Sequence, residues 1–144
     1  METVKRSALM PYPADYMYQL VHDVDRYPEF LPWCGGSKIH RADAHEMEAS
    51  VEINMAGLKQ SFTTLNRMQP GHCIDMELVD GPFDTLQGQW RFTPIDDQGC
   101  KIELDLTFHL KAGLASAVIA PAFSKIANTL VDSFCTRARE LNEQ

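Results

Sequence analysis

The stretch Glu46-Met47-Glu48-Ala49-Ser50-Val51-Glu52-Ile53-Asn54-Met55 alternates without a fault. Met47, Ala49, Val51, Ile53 and Met55 share one parity; Glu46, Glu48, Ser50, Glu52 and Asn54 share the other. Successive side chains of a strand point to opposite faces, so this pattern predicts a strand with one face on a core and one in water, as antiparallel sheets allow. Ala56-Gly57 reads as a two-residue turn, with glycine free to take positive φ. Residues 58–68 then run back, and Leu58, Gln60, Phe62, Thr64, Asn66 and Met68 fall in the inward parity. Beyond the Pro70-Gly71 turn, Ile74, Met76 and Leu78 mark another strand. Asp80-Gly81-Pro82-Phe83 turns the chain, Leu86, Gly88, Trp90 and Phe92 mark the next strand, and Asp96-Asp97-Gln98-Gly99 closes it. Cys100, Ile102, Leu104, Leu106, Phe108 and Leu110 then alternate with Lys101, Glu103, Asp105, Thr107 and His109 in a long final strand.

Outside this block the periods change. Residues 3–10 alternate weakly and predict an opening strand. Pro13 suits a first helical position, and Met17, Leu20, Val21 and Val24 follow at the spacing of one helix face, ending near Asp25. Tyr27 to Pro32 holds one short helical turn, and Trp33-Cys34-Gly35-Gly36 reads as a loop. From Gly113 to Leu141 the apolar residues Ile119, Phe123, Ile126, Leu130, Phe134 and Leu141 repeat at three and four, which predicts a long amphipathic helix. Pro121 either opens this helix or kinks a longer one. The expected architecture over residues 1–144 is one α+β domain. A curved antiparallel sheet of about seven strands wraps its apolar face around the long C-terminal helix and leaves an elongated hollow between them.

The 144 residues carry 13 Lys and Arg against 20 Asp and Glu, a formal charge of −7. Proteins that wrap DNA are normally basic, because phosphate contacts supply much of their affinity, so no DNA partner is expected. The four cysteines (Cys34, Cys73, Cys100 and Cys135) form no C-x-x-C pair and read as free thiols. No long apolar run follows the basic residues at the N-terminus, so a cytoplasmic location is expected. A lipid ligand would add transient peripheral contact with the inner membrane.

No glycine-rich phosphate loop, H-E-x-x-H or G-x-S-x-G occurs, and the five histidines lack ligand spacing, so no metal site is expected. Glu46, Glu48 and Glu52 lie in the solvent parity. The inward parity holds Phe62, Met76, Trp90, Phe92 and Phe108, which the helix would meet with Phe123, Ile126 and Leu130. Gln60, Thr64 and Asn66 are the inward polar residues of one strand. Either neighbours and water satisfy them, or they bond the head group of a ligand. No inward His, Asp or Glu stands among the strand positions, which argues against proton-transfer catalysis.

The segment Tyr27-Pro28-Glu29-Phe30-Leu31-Pro32-Trp33-Cys34 resembles the Y-x-x-F-L-P-W-C signature of the coenzyme Q-binding START-domain family, within the polyketide cyclase/START-like superfamily. Val79-Asp80-Gly81-Pro82-Phe83 is similar to that family's V-D-G-P-F turn, and Gly88-Gln89-Trp90-Arg91-Phe92 to its G-x-W-x-F strand. The likeness is greatest to the bacterial branch of ribosome association toxins, the RatA family. It implies the helix-grip fold shared with START domains and birch-pollen-allergen-like proteins. It also implies a non-enzymatic protein with no required cofactor, binding ubiquinone or a similar isoprenoid lipid, supporting respiration and binding the large ribosomal subunit to block subunit association. The alternative is a polyketide cyclase or dehydratase using the same cavity. The expected ligand-binding residues are Phe30, Leu31, Trp33, Val51, Gln60, Phe62, Thr64, Asn66, Met76, Trp90, Phe92, Phe108, Phe123, Ile126 and Leu130. Leu31 and Trp33 would form the mouth, although Phe30 and Trp33 could equally plug one end of the core.

Overall fold

Strict alternation and helical periodicity together produce the architecture seen in the computed structural model of the chain. The structure describes residues 2–55, 57–112 and 114–142, with all of their side chains except those of Leu58 and residues 114–118. The order is β1 (Glu2–Met10), α1 (Ala14–His22), a 3-10 strap (Val24–Glu29), β2 (Cys34–Ala42), β3 (Glu46–Met55), β4 (Leu58–Gln69), β5 (Cys73–Asp80), β6 (Phe83–Pro94), β7 (Cys100–Leu110) and α2 (Leu114–Asn142). All seven strands join one antiparallel sheet in the order β1-β7-β6-β5-β4-β3-β2. Of the expected Ala56-Gly57 turn, Gly57 has φ +79°, while Ala56 and Gly113 lie outside the described residues.

Parity decides which face each strand buries. Met47, Ala49 and Ile53 of β3 are buried, as are Cys100, Ile102, Leu104, Leu106 and Phe108 of β7. The opposite face carries exposed ion pairs: Arg91 bonds Glu103 and Asp105 at 3.1 Å each, and Arg67 bonds Glu77 at 2.6 Å. Such pairs contribute about 0–1 kcal/mol each; their main effect is to keep this face in water. The carboxylates of Glu46 and Glu52 belong to this set, paired with Arg41, Arg67 and Lys59.

Three expectations are corrected. Trp33 to Gly36 is no simple loop, because β2 begins at Cys34 and runs as an edge strand with register shifts after Cys34 and after Ile39. Helix α1 stops at His22, short of Asp25, and buries Tyr18 rather than Leu20 beside Met17 and Val21. Asp23 leaves the helical region (φ −82°, ψ 68°) while its N–H still bonds the Gln19 carbonyl at 3.0 Å. The short turn therefore comes earlier than Tyr27–Pro32, as the strap Val24–Glu29 with Pro28 inside it. The Tyr27 hydroxyl donates to the Val21 carbonyl and ties the strap to the last turn of α1.

Pro121 does not open α2; it lies inside the longer helix, which begins seven residues earlier, at Leu114. The proline is exposed, where losing one backbone donor costs least. The buried stripe of α2 is clamped by aromatic rings. Phe134 meets Trp90, Tyr27 and Phe30 at 5.3–5.5 Å, and Phe123 meets Phe83 and Phe108 at 4.9 and 4.7 Å. On its outer side Arg137 stacks on Phe30 at 5.1 Å and bonds Glu29 at 2.8 Å, which fastens the strap to the helix. In the turn before β6, Gly81 has φ +153°, and a Cβ there would stand 2.7 Å from the Phe62 Cβ. That explains the glycine of Val79-Asp80-Gly81-Pro82-Phe83 without reference to any ligand.

Candidate functional site: the hollow between sheet and helix

Helix α2 lies against β1 and β7 and stands off β3, β4 and β5. The space left on that side is a cavity of about 90 Å³. The strap contributes Val24 and Tyr27, β3 contributes Ala49 and Val51, β4 contributes Phe62, Thr64 and Asn66, and α2 contributes Phe123, Ile126, Ala127 and Leu130. Trp33, Met76, Leu86, Trp90 and Leu106 complete the wall. A second void of about 10 Å³ adjoins it toward His22 and Met68 and shares Tyr27, Asn66, Met76 and Trp90.

Of the expected residues, the cavity brings together Trp33, Val51, Phe62, Thr64, Asn66, Met76, Trp90, Phe123, Ile126 and Leu130. The other five lie elsewhere. Leu31 is 1% exposed in the core and makes no mouth. Phe30 packs outside the strap, between Phe134 and Arg137. Gln60 faces the right side, opposite Ile53, but sits nearer the hairpin turn than the cavity does. Phe92 stacks on Trp90 and meets Tyr18 edge-on, and Phe108 packs against Phe83 and Phe123. Val24, Tyr27, Ala49, Leu86, Leu106 and Ala127 line the cavity without having been expected there. Ala49, Leu86 and Leu106 were readable from parity alone, whereas Tyr27 enters only through the strap.

The lining is apolar with a few polar exceptions. Thr64 and Asn66, each 8% exposed, form one unit in which the Thr64 hydroxyl donates to Asn66 Oδ1 at 2.9 Å. Among the described residues the Asn66 amide nitrogen has no protein partner. The Trp33 indole nitrogen is buried and also has none. Leaving a buried donor unpaired costs about 1–3 kcal/mol. Tyr27 is the titratable residue of the lining. Burial, with Cys34 and Asp23 nearby, pushes its phenol well above the ordinary value of 10.0. With its proton committed to the Val21 carbonyl, it is a poor acid and a poor base near neutrality. Among the described residues no Asp, Glu, His, Lys or Arg borders the main cavity, and no cluster of His, Cys, Asp and Glu is placed to hold a metal.

Burial also pushes the Cys34, Cys100 and Cys135 thiols above their ordinary value of 9.0. A group that keeps its proton longer in the fold than in the unfolded chain adds stability below its ordinary pKa. That stability is lost as pH climbs from the unfolded value through the folded one. The urea midpoint should therefore hold from pH 7 to about 8.5 and fall steadily above it as unfolded thiols, then phenols, ionise. Denaturation at half-unit steps to pH 10.5 checks this; a midpoint flat to the end contradicts it.

Residues 10–135 match the family model described as polyketide cyclase/dehydrase and lipid transport. The chain belongs to that family. A family member 46% identical to it, covering 96% of both chains, is the ribosome association toxin RatA of Pseudomonas aeruginosa. A more distant one, the mitochondrial coenzyme Q-binding protein COQ10 homolog B of Xenopus laevis, is 25% identical over 89% of this chain and 54% of its own. Among solved structures, the Zhui aromatase/cyclase from Streptomyces sp. R1128 superimposes with a TM-score of 0.83 over 96% of this chain and 93% of its own. At 15% identity that likeness establishes the helix-grip fold and nothing about chemistry.

Proposed function

We propose that this family member is a non-catalytic carrier that takes an apolar molecule with a carbonyl head, an isoprenoid quinone such as ubiquinone, into the hollow between sheet and α2. The observation that carries this reading is the wall itself: aromatic and aliphatic side chains interrupted by the Trp33 and Asn66 donors, whose hydrogen bonds are unfinished. Each CH₂ of a tail moved from water into such a wall contributes about 0.8 kcal/mol. The space is small beside an ordinary ligand site of about 300 Å³ or more. Uptake therefore goes with widening. Met76, which is unbranched and flexible, and the half-buried Phe62 and Leu130 are the wall residues best able to give. A cyclase would need an acid or base at the cavity, and Tyr27 fills that role poorly, so the cyclase reading fits less well.

The similarity to the Pseudomonas toxin, nearly end to end, supports a second activity carried by the outer surface: binding of the large ribosomal subunit. A chain of charge −7 would make few phosphate contacts there, so binding should weaken only gently with salt. Cosedimentation with large subunits across a salt series tests this, and no binding at low salt removes it. The carrier reading is tested by native mass spectrometry of the purified chain, alone and with added ubiquinone. A one-to-one adduct that resists mild activation is expected; its absence in both samples overturns the carrier.

A further inference from the structure

We infer that the Trp33 indole N–H and the Asn66 amide form a donor pair that binds a carbonyl oxygen of the ligand and so marks the head-group end of the hollow. This rests on the carrier reading and adds the chemistry of recognition. Trp33 is 8% exposed, and its nitrogen is the one buried side-chain polar atom without a partner among the described residues. A buried N–H with no protein partner calls for an explanation, and an acceptor supplied from outside is one. Asn66 borders the same cavity, and its Oδ1 is already occupied by the Thr64 hydroxyl. That bond leaves the amide N–H groups as the unengaged end of the side chain. Two separate elements, the segment leading into β2 and strand β4, thus border one apolar cavity with side chains whose N–H donors have no protein partner among the described residues.

A group with lone pairs and no hydrogen of its own completes such a pair, and a ketone or quinone oxygen is that group. A pure hydrocarbon would fill the volume and leave both donors unpaired. Sites built to hydrogen-bond a polar group reject analogues lacking it far more strongly than apolar pockets reject a change of size.

The test uses calorimetric titration with two probes of equal tail, a decyl-substituted para-benzoquinone and decylbenzene. Wild-type protein should bind the quinone about tenfold tighter than the hydrocarbon. Trp33→Phe keeps an aromatic ring and removes the N–H; Asn66→Leu removes the amide at similar volume. Each should weaken quinone binding about five- to tenfold and change decylbenzene binding by distinctly less. The Trp33 indole proton should move downfield in a ¹⁵N-correlated spectrum with the quinone, as a new hydrogen bond requires, and not downfield with decylbenzene. Equal affinity of wild type for both probes, or equal losses on both in the variants, overturns the inference while the carrier stands. Failure of wild type to bind either probe overturns both.

Discussion

Trp90→Ala lowers the free energy of unfolding by about 3–5 kcal/mol. Trp90 is 2% exposed on β6, stacked on Phe92 at 6.3 Å and met edge-on by Phe134 at 5.4 Å. It joins the sheet to α2 at the centre of the core. It also borders both voids, so its removal merges them and adds the volume of an indole to a space the wall already fails to fill. Walls that cannot collapse place truncations at the costly end of the range. Trp90→Phe should recover more than half of the loss. Urea unfolding monitored by circular dichroism measures both, and a Trp90→Ala loss below about 1 kcal/mol would show that the ring is no part of the core.

The second large effect runs the other way. Gly88→Ala should weaken ligand uptake about tenfold or more while moving stability by only about 1 kcal/mol. A Cβ on Gly88 would stand 2.8 Å from Leu106 Cδ1, 2.8 Å from Met76 Cε and 3.3 Å from the Asp105 carbonyl oxygen. The two carbons are the free ends of side chains that line the cavity, so they yield into it, while the backbone oxygen needs to give by only a few tenths of an ångström. The glycine of the Gly88-Gln89-Trp90-Arg91-Phe92 strand thus keeps the hollow open from behind. Calorimetric titration with ubiquinone, set beside the melting temperature, separates the two effects. Unchanged affinity with a normal melting temperature would show that Gly88 has no part in shaping the space.

The sheet and α2 were legible because their patterns are long and one-sided, above all Cys100 to Leu110 and Ile119 to Leu141. Strand β2 was not. Gly35 and Gly36 carry no side chain to alternate, the register shifts twice, and Ser37 to Ala42 stay largely exposed at the sheet edge. Inward parity correctly placed Thr64 and Asn66, but parity does not tell wall from filling. Phe92 and Phe108 share the parity of Trp90 and Leu106, yet lie where helices press on the sheet. Gln60 differs from Thr64 only in distance along its strand. Tyr27 belongs to the wall because the chain tightens at Asp23, a dihedral choice that periodicity does not encode.

The strand order has a kinetic meaning. From β2 to β7 every pairing joins neighbours along the chain, so that part of the sheet can zip hairpin by hairpin as synthesis proceeds. Strand β1 is made first, yet Glu2 must await Phe108 for its partner. Closing so long a loop delays the final seam, and the surface of β1 and β7 on which α2 packs is complete only then. The nascent chain therefore shows its greasy concave side to whatever surrounds it until the last turns of the terminal helix have left the exit tunnel.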